Sequence, residues 1–380
     1  MSNEIHPAQV ELARVFSSVR LMGPPFSERL VRLMVHLFSP EEAAVARHLP
    51  FYRPRPLERI ARGVRRPPEE ITPLLEAMGA RRVIYQSENG YSLLPLIPGM
   101  FEYMLMNGAD SDWHREYARQ LLELFSTGYM REYNAKPTRA VRNLPVAAAI
   151  GGQSLVADPD LVAEMIERHS PLGVLTVCQC RQSQRFVGQE CKRSRPEDGC
   201  LMFGRFAETI VRKGNGRLVE KSEMREIVAE RREKKLVFMT GNVGVGNPNG
   251  ICTCCDCCCH GLESINHYQG MGLVAEPRFK AAVDEAACDH CGKCARACNT
   301  YAHTVAEKQH SYDPAKCIGC GLCVVNCKEH ALRMEANPAY RPPAEGFGRL
   351  GLRLLPASLL SGLKVAVARR GAKPSRPRLD

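Results

Sequence analysis

The sequence predicts an α+β multidomain chain, and three observations carry that prediction. The N-terminal third holds short helical patterns closed by a hairpin signal. The middle mixes apolar strand-like runs with ten cysteines, and near the C-terminus one four-cysteine spacing occurs twice. The implied layout is a helical domain over 1–100, a helical then cysteine-rich α/β middle over 101–275, a two-quartet domain over 276–338 and a basic tail over 339–380.

The helical reading begins at "FSPEEAAVARHL", where Ser39 stands as N-cap, Pro40 at the first helical position and Glu42 in the capping-box place. "PLERIARGV" and "PPEEITPLLEAMGA" give two more short helices. "RRVIYQ" and "YSLLPL" then read as strands about a turn containing Asn89-Gly90. Three helices followed by a hairpin is the order of a winged helix-turn-helix, and the segment resembles that fold. Glu69 and Glu70 at the start of its third helix oppose phosphate contact, which ranks DNA as the weaker partner although Arg81 and Arg82 follow. Residues 101 to 170 read as mainly helical, with Trp113 a packing residue. "PLGVLTV" is a strand that delivers the chain to the first cysteines.

With 380 residues and 44% hydrophobic content, the chain has enough apolar material for two or three cores and no need of disulfides for stability. The first thirty residues show no basic stretch followed by an apolar run, and no stretch approaches the length of a spanning helix. A cytoplasmic location is expected, where thiols stay reduced and clustered cysteines point to metal. The net charge of +11 lies largely in the last 42 residues, where nine Lys or Arg stand against Glu345 and Asp380.

The specific signal is C-x2-C-x2-C-x3-C, formed by Cys288, Cys291, Cys294 and Cys298 and repeated by Cys317, Cys320, Cys323 and Cys327. Three thiols on a tight loop reach successive corners of one cube while the fourth, on the following helix, points to the other. Cys288, Cys291, Cys294 and Cys327 are therefore expected on one [4Fe-4S] cluster, and Cys317, Cys320, Cys323 and Cys298 on a second. Gly292, Gly319 and Gly321 suit loops whose amides approach sulfide closely. Over residues 279 to 336 the sequence resembles the bacterial two-cluster ferredoxins. It departs from them where Asn299 and Lys328 follow the fourth cysteines in place of proline, which bears on local rigidity and potential.

The remaining thiols are Cys178, Cys180, Cys191 and Cys200, then Cys252, Cys254, Cys255, Cys257, Cys258 and Cys259 in "CTCCDCCCH". Cys178 and Cys180 read as a C-x-C at a strand end, and with Cys191 and Cys200 they make a quartet able to hold one metal. Three readings stay open: a third [4Fe-4S] cluster built from this quartet with help from 252 to 259, a structural zinc, or thiol exchange between vicinal cysteines. Arg181 is either a group that lowers a thiolate's pKa or a surface charge. His260 is a candidate ligand of low weight. "GNVGVG" lacks the spacing of a nucleotide loop and reads as a connector.

A winged-helix-like region, then "CQCR", then "CTCCDCCC", then two ferredoxin motifs resembles, over nearly the whole chain, a group of prokaryotic 4Fe-4S ferredoxin-type proteins of poorly defined function. That resemblance implies an electron carrier or oxidoreductase subunit that relays single electrons to or from a partner redox protein. The alternative is a redox-sensing DNA-binding regulator. The tail suits a solvated segment first and a peripheral membrane contact second.

Overall fold

The computed structural model describes residues 5–18, 21, 23–125, 139–150, 161–244, 249–268, 273–346 and 349–350. The chain divides into two compact units with the cut between Tyr133 and Asn134, and the second unit runs to Ala357. The sequence placed its boundaries at 100 and 275 instead. Helix Asp112–Leu124 lies in the first unit, and the cysteine-rich middle shares the second with the doubled quartet.

In the first unit the helices Pro7–Phe16 and Glu28–Leu37 precede Pro40–Ala46, whose start is a full capping box between Ser39 and Glu42. Helices Leu57–Val64 and Pro68–Ala80 follow. Strands β1 (Tyr85–Ser87) and β2 (Gly90–Ser92) then form an antiparallel hairpin. Gly90, at φ 106°, must be glycine, because a Cβ there would lie 1.9 Å from the Arg55 carbonyl oxygen. Bridges from Phe51 to Leu93 and from Arg55 to Tyr91 lay a third extended segment against the hairpin. Trp113 packs against His36, ring on ring at 5.2 Å.

The second unit is built on a sheet of six strands among the described residues: β3 (Val141–Leu144), β4 (Leu172–Leu175), β5 (Leu201–Phe203), β6 (Gly216–Val219), β7 (Val237–Gly241) and β8 (Gly250–Cys254). They lie in the order β3-β7-β8-β5-β4-β6, and every pairing is antiparallel. This corrects the α/β reading of the middle. Strand and helix do alternate along the chain, but β4 sits between β5 and β6, so the helix between those two does not join neighbouring parallel strands. Residues 139 to 146, read as helix, carry β3.

Strand alternation divides the core in two. Leu201, Phe238 and Ile251 face the helices Val162–Arg168 and Lys221–Glu233. Val237, Met239 and Cys254 face Leu262, Ile265 and the apolar residues Ala297, Ile318 and Leu322 of the doubled-quartet region. That region pairs β9 (Phe279–Val283) with β12 (Leu332–Ala336), and β10 (His303–Ala306) with β11 (Gln309–Tyr312). Short helices Lys293–Ala297 and Leu322–Val325 follow the two cysteine loops.

The start of the expected tail is part of this unit. The Ala344 amide donates to Asn242 O, its own carbonyl accepts from Gly244 N, and Ala344 is fully buried with Val243 and Leu350. Residues 351–380, which hold most of the basic excess, lie outside the described residues. No helix among the described residues is long and apolar enough to cross a membrane.

Candidate metal centres

The doubled quartet lines two separate hollows. Cys288, Cys291, Cys294 and Cys327 surround one of about 340 Å³ counting its open mouth, with His290 and His310 beside them. Cys298, Cys317, Cys320 and Cys323 surround the other, of about 320 Å³, with His303 and Met334. The loop of the second quartet depends on glycine. Gly319 sits at φ 70° with the Phe279 carbonyl oxygen 2.3 Å from where a Cβ would stand, and Gly321 at φ 77° with Ala149 Cβ 2.5 Å away. Burial pushes the Cys320 thiol up to about 12 and raises Cys294 and Cys323 as well. Such thiols become thiolates on meeting a cation. The two hollows are joined by stacked histidines, His303 Nδ1 lying 2.9 Å from His310 Nε2. Cys288, Cys291 and Cys327 keep accessible surface while Cys298, Cys317 and Cys323 are buried, so the first quartet is the more exposed and its hollow is here the outer one.

The inner hollow abuts the cysteine-rich middle. Cys320 borders the core that holds Cys254, Cys259, Leu262, Ala297 and Leu322, and its carbonyl accepts from Val146 N at 3.0 Å. Arg232 lies over the Phe238 ring at 3.8 Å, and burial pulls its pKa down to about 10 against the opposing charge of Cys320. Asn299, which stands where the ferredoxin pattern has proline, ties the two parts together. Its Nδ2 donates to Lys235 O at 2.9 Å and Ala297 O at 3.1 Å, and its Oδ1 accepts from Asp256 N at 3.0 Å. Asp256 also takes a 2.5 Å ion pair from Arg193, which in turn donates to Arg296 O. Lys328, after the other fourth cysteine, is exposed.

The ten middle thiols do not group as their order suggested. Cys178 caps helix Gln179–Phe186 and Cys180 lies in its first turn, past the end of β4 rather than on it. Cys191 leaves the expected quartet and joins Cys255, Cys257 and Cys258, four sulfurs all within 4.8 Å of one another. The contacts are 3.5 Å from Cys191 to Cys255, 3.6 Å from Cys191 to Cys257 and 3.7 Å between Cys257 and Cys258.

The other six form a ring. Electrostatic interaction between thiols runs from Cys178 to Cys180, on to Cys259, Cys254, Cys252 and Cys200, and the charge of Cys178 reaches Cys200 to close it. Backbone register explains the contact between Cys200 and Cys252: Met202 pairs with Gly250 and Leu201 with Ile251, so the next step sets these two cysteines opposite each other. These interactions lower Cys178, Cys259 and Cys252 and raise Cys180, Cys254 and Cys200.

Arg181 stands between the two groups, 2% exposed, which overturns the surface-charge reading. Its Nη1 donates to Asp198 O at 2.9 Å and its Nη2 to Thr253 O at 2.5 Å. Its charge interacts with Cys178 and Cys254 on one side and with Cys191 and Cys255 on the other. His260 engages both ring nitrogens elsewhere, Nε2 with Ser183 Oγ at 3.2 Å and Nδ1 with Glu263 at 2.8 Å, and is thus not placed as a ligand. "GNVGVG" begins the loop between β7 and β8, whose residues 245–248 lie outside the described residues.

Sequence reasoning left out the supporting groups Arg193, Asp198, Arg231, Arg232 and Asp256. Asp256 carried one signal, as a carboxylate inside a run of thiols.

Residues 280–328 match the family model of the 4Fe-4S dicluster domain. No curated protein and no solved structure matches the chain. Together with the gathered thiols, the family match makes 280–328 a 4Fe-4S ferredoxin-type domain and the chain an iron–sulfur protein.

Proposed function

We propose that the chain is an electron-transfer protein. Two ferredoxin-type [4Fe-4S] clusters, on Cys288, Cys291, Cys294, Cys327 and on Cys298, Cys317, Cys320, Cys323, would serve a thiol-built centre in the same folded unit. The observation that carries this reading is the shared core and the Asn299–Asp256 hydrogen bond between the inner hollow and the middle thiols. Bound in these hollows, the clusters supply one-electron chemistry. The protein's part is position and electrostatics. The outer hollow carries the exposed Cys291, the inner one is walled by Ala281, Ile318 and Met334, and Arg232 offers positive charge beside Cys320. The partner is a redox protein or enzyme that docks at the outer cysteines.

The test is iron and acid-labile sulfide on anaerobically prepared protein, with EPR after dithionite, for the unaltered chain and for Cys291→Ser and Cys320→Ser. Each variant should lose one reduced-cluster signal and keep the other. Unchanged iron and signal in both would sink the reading.

A second reading, a redox-sensing regulator, draws on the first unit. Its support is that helices Leu57–Val64 and Pro68–Ala80 precede the β1–β2 hairpin, with the 51–55 segment alongside. Arg62, Arg65 and Arg66 gather where the two helices meet. Binding of the chain's own upstream DNA that tracks cluster oxidation would favour this reading, and binding that ignores it would remove it.

A further inference from the structure

We infer that the ten middle cysteines build two metal sites of different nuclearity: a four-thiolate site for one ion, and a six-thiolate site for a polynuclear iron–sulfur cluster. The argument rests on sulfur spacing. A single tetrahedral ion with metal–sulfur bonds of about 2.3 Å requires sulfurs about 3.8 Å apart. Cys191, Cys255, Cys257 and Cys258 meet that requirement, with contacts of 3.5, 3.6 and 3.7 Å and all four sulfurs within 4.8 Å. They have converged on one point. A zinc or iron ion there would be held by thiolates alone, with Arg193 and Asp256 as neighbours.

The ring is different in kind. Its six thiols interact one with the next, yet among the described residues no three of them lie mutually within 4.8 Å. The same is true of each ferredoxin quartet, whose cysteines line a hollow instead of meeting at one point. Six thiols spread in this way cannot converge on one metal atom, but they can each hold a different corner of a cluster. Cys252 is exposed, Cys178 and Cys180 are half-buried, and Cys200, Cys254 and Cys259 are buried. Six terminal thiolates also exceed the four that one cube uses.

Strand geometry keeps the sites apart. Cys252 and Cys254 project from one face of β8, the turn after it carries Cys255, Cys257 and Cys258 into the core on the other face, and Cys259 returns at the start of helix His260–Tyr268. Arg181 lies between them, within charge range of thiols in both groups.

The test is metal and sulfide content of the full chain, reconstituted anaerobically with iron and sulfide in the presence of zinc. The unaltered protein should hold sulfide clearly above the roughly eight per chain of two cubes. A content of eight or fewer overturns the proposal without any mutation. Cys191→Ser and Cys257→Ser should each lose one zinc or iron and no sulfide. Cys200→Ser and Cys252→Ser should each lose two or more irons with comparable sulfide and keep the single ion. Sulfide loss from the first pair, loss of at most one ion from the second, or loss of the same metals from all four overturns it. The ferredoxin EPR signal, kept in all four, reports that the unit has folded. If instead Cys291→Ser and Cys320→Ser leave iron unchanged, the electron-transfer reading fails, and the counts from the four middle variants still decide this one.

Discussion

Arg181 donates through Nη2 to the carbonyl oxygen of Thr253 at 2.5 Å, and so locks the cysteine-bearing helix Gln179–Phe186 to the cysteine-bearing strand β8. The guanidinium is buried, and its other terminal nitrogen holds Asp198 O. Few neutral side chains could replace it, because the site needs both a fork of donors and a positive charge among thiolates.

Arg181→Gln should therefore act on stability and on metal together. Two buried carbonyls lose charged donors, at about 1–3 kcal/mol each. The lost charge weakens thiolate formation on both sides. Calorimetry should show a lowered unfolding midpoint for the second unit, and metal analysis should show lowered occupancy of both middle sites. Retention of full metal content would mean that Arg181 is structural only.

Asn299 predicts a separable effect. Asn299→Pro restores the ferredoxin pattern but removes the side-chain bonds to Lys235 O, Ala297 O and Asp256 N. The loss should amount to about 2–4 kcal/mol, summed over three bonds with buried partners. Cysteine ligands are untouched, so iron content and the ferredoxin EPR signals should persist. Stopped-flow reduction should show slower passage of electrons from the ferredoxin domain to the middle thiol centre. Equal rates in both proteins would deny Asn299 any part in the coupling.

How far the sequence could be read follows from which information is local. The capping box of Ser39 and Glu42 and the β1–β2 hairpin depend on residues a few positions apart, and both stand in the structure. The eight cysteines of the doubled spacing line two hollows, four to each. The other ten could not be sorted this way. Cys191 follows Cys178 and Cys180 closely in sequence, yet the loop beyond Phe186 carries it to the turn after β8. Nor does "CTCCDCCC" show where strand becomes turn, and that one boundary decides which thiols join which group. Asn299 was visible as a departure from proline, but its partners Lys235 and Asp256 are distant in sequence.

Gly319 offers a test of loop geometry without touching a ligand. Gly319→Ala puts a side chain at φ 70°, with the Phe279 carbonyl oxygen 2.3 Å from the new Cβ. The left-handed backbone alone costs about 1 kcal/mol, and relieving the clash must shift the loop between Cys317 and Cys320 or strand β9. The expected result is loss of the inner cluster's EPR signal with the outer one kept. Two intact signals would show that the loop can move aside.

The first unit should have its own pH response, visible because Trp113 is the only tryptophan in the chain. Burial lowers the pKa of His36 from 6.5, opposed by its bond to Trp113 O and the charge of Glu116 and aided by Arg119. His114, edge-on to the same indole, is lowered by burial too. A histidine with a depressed folded pKa stabilises the fold above 6.5, and that stability drains away as falling pH protonates the unfolded chain first. Thermal unfolding followed by Trp113 fluorescence should thus shift to lower temperature between pH 7.5 and 5.5. His36→Gln should reduce the slope without abolishing it, since His114 remains. A midpoint independent of pH over this window would mean that neither imidazole differs between the folded and unfolded chain.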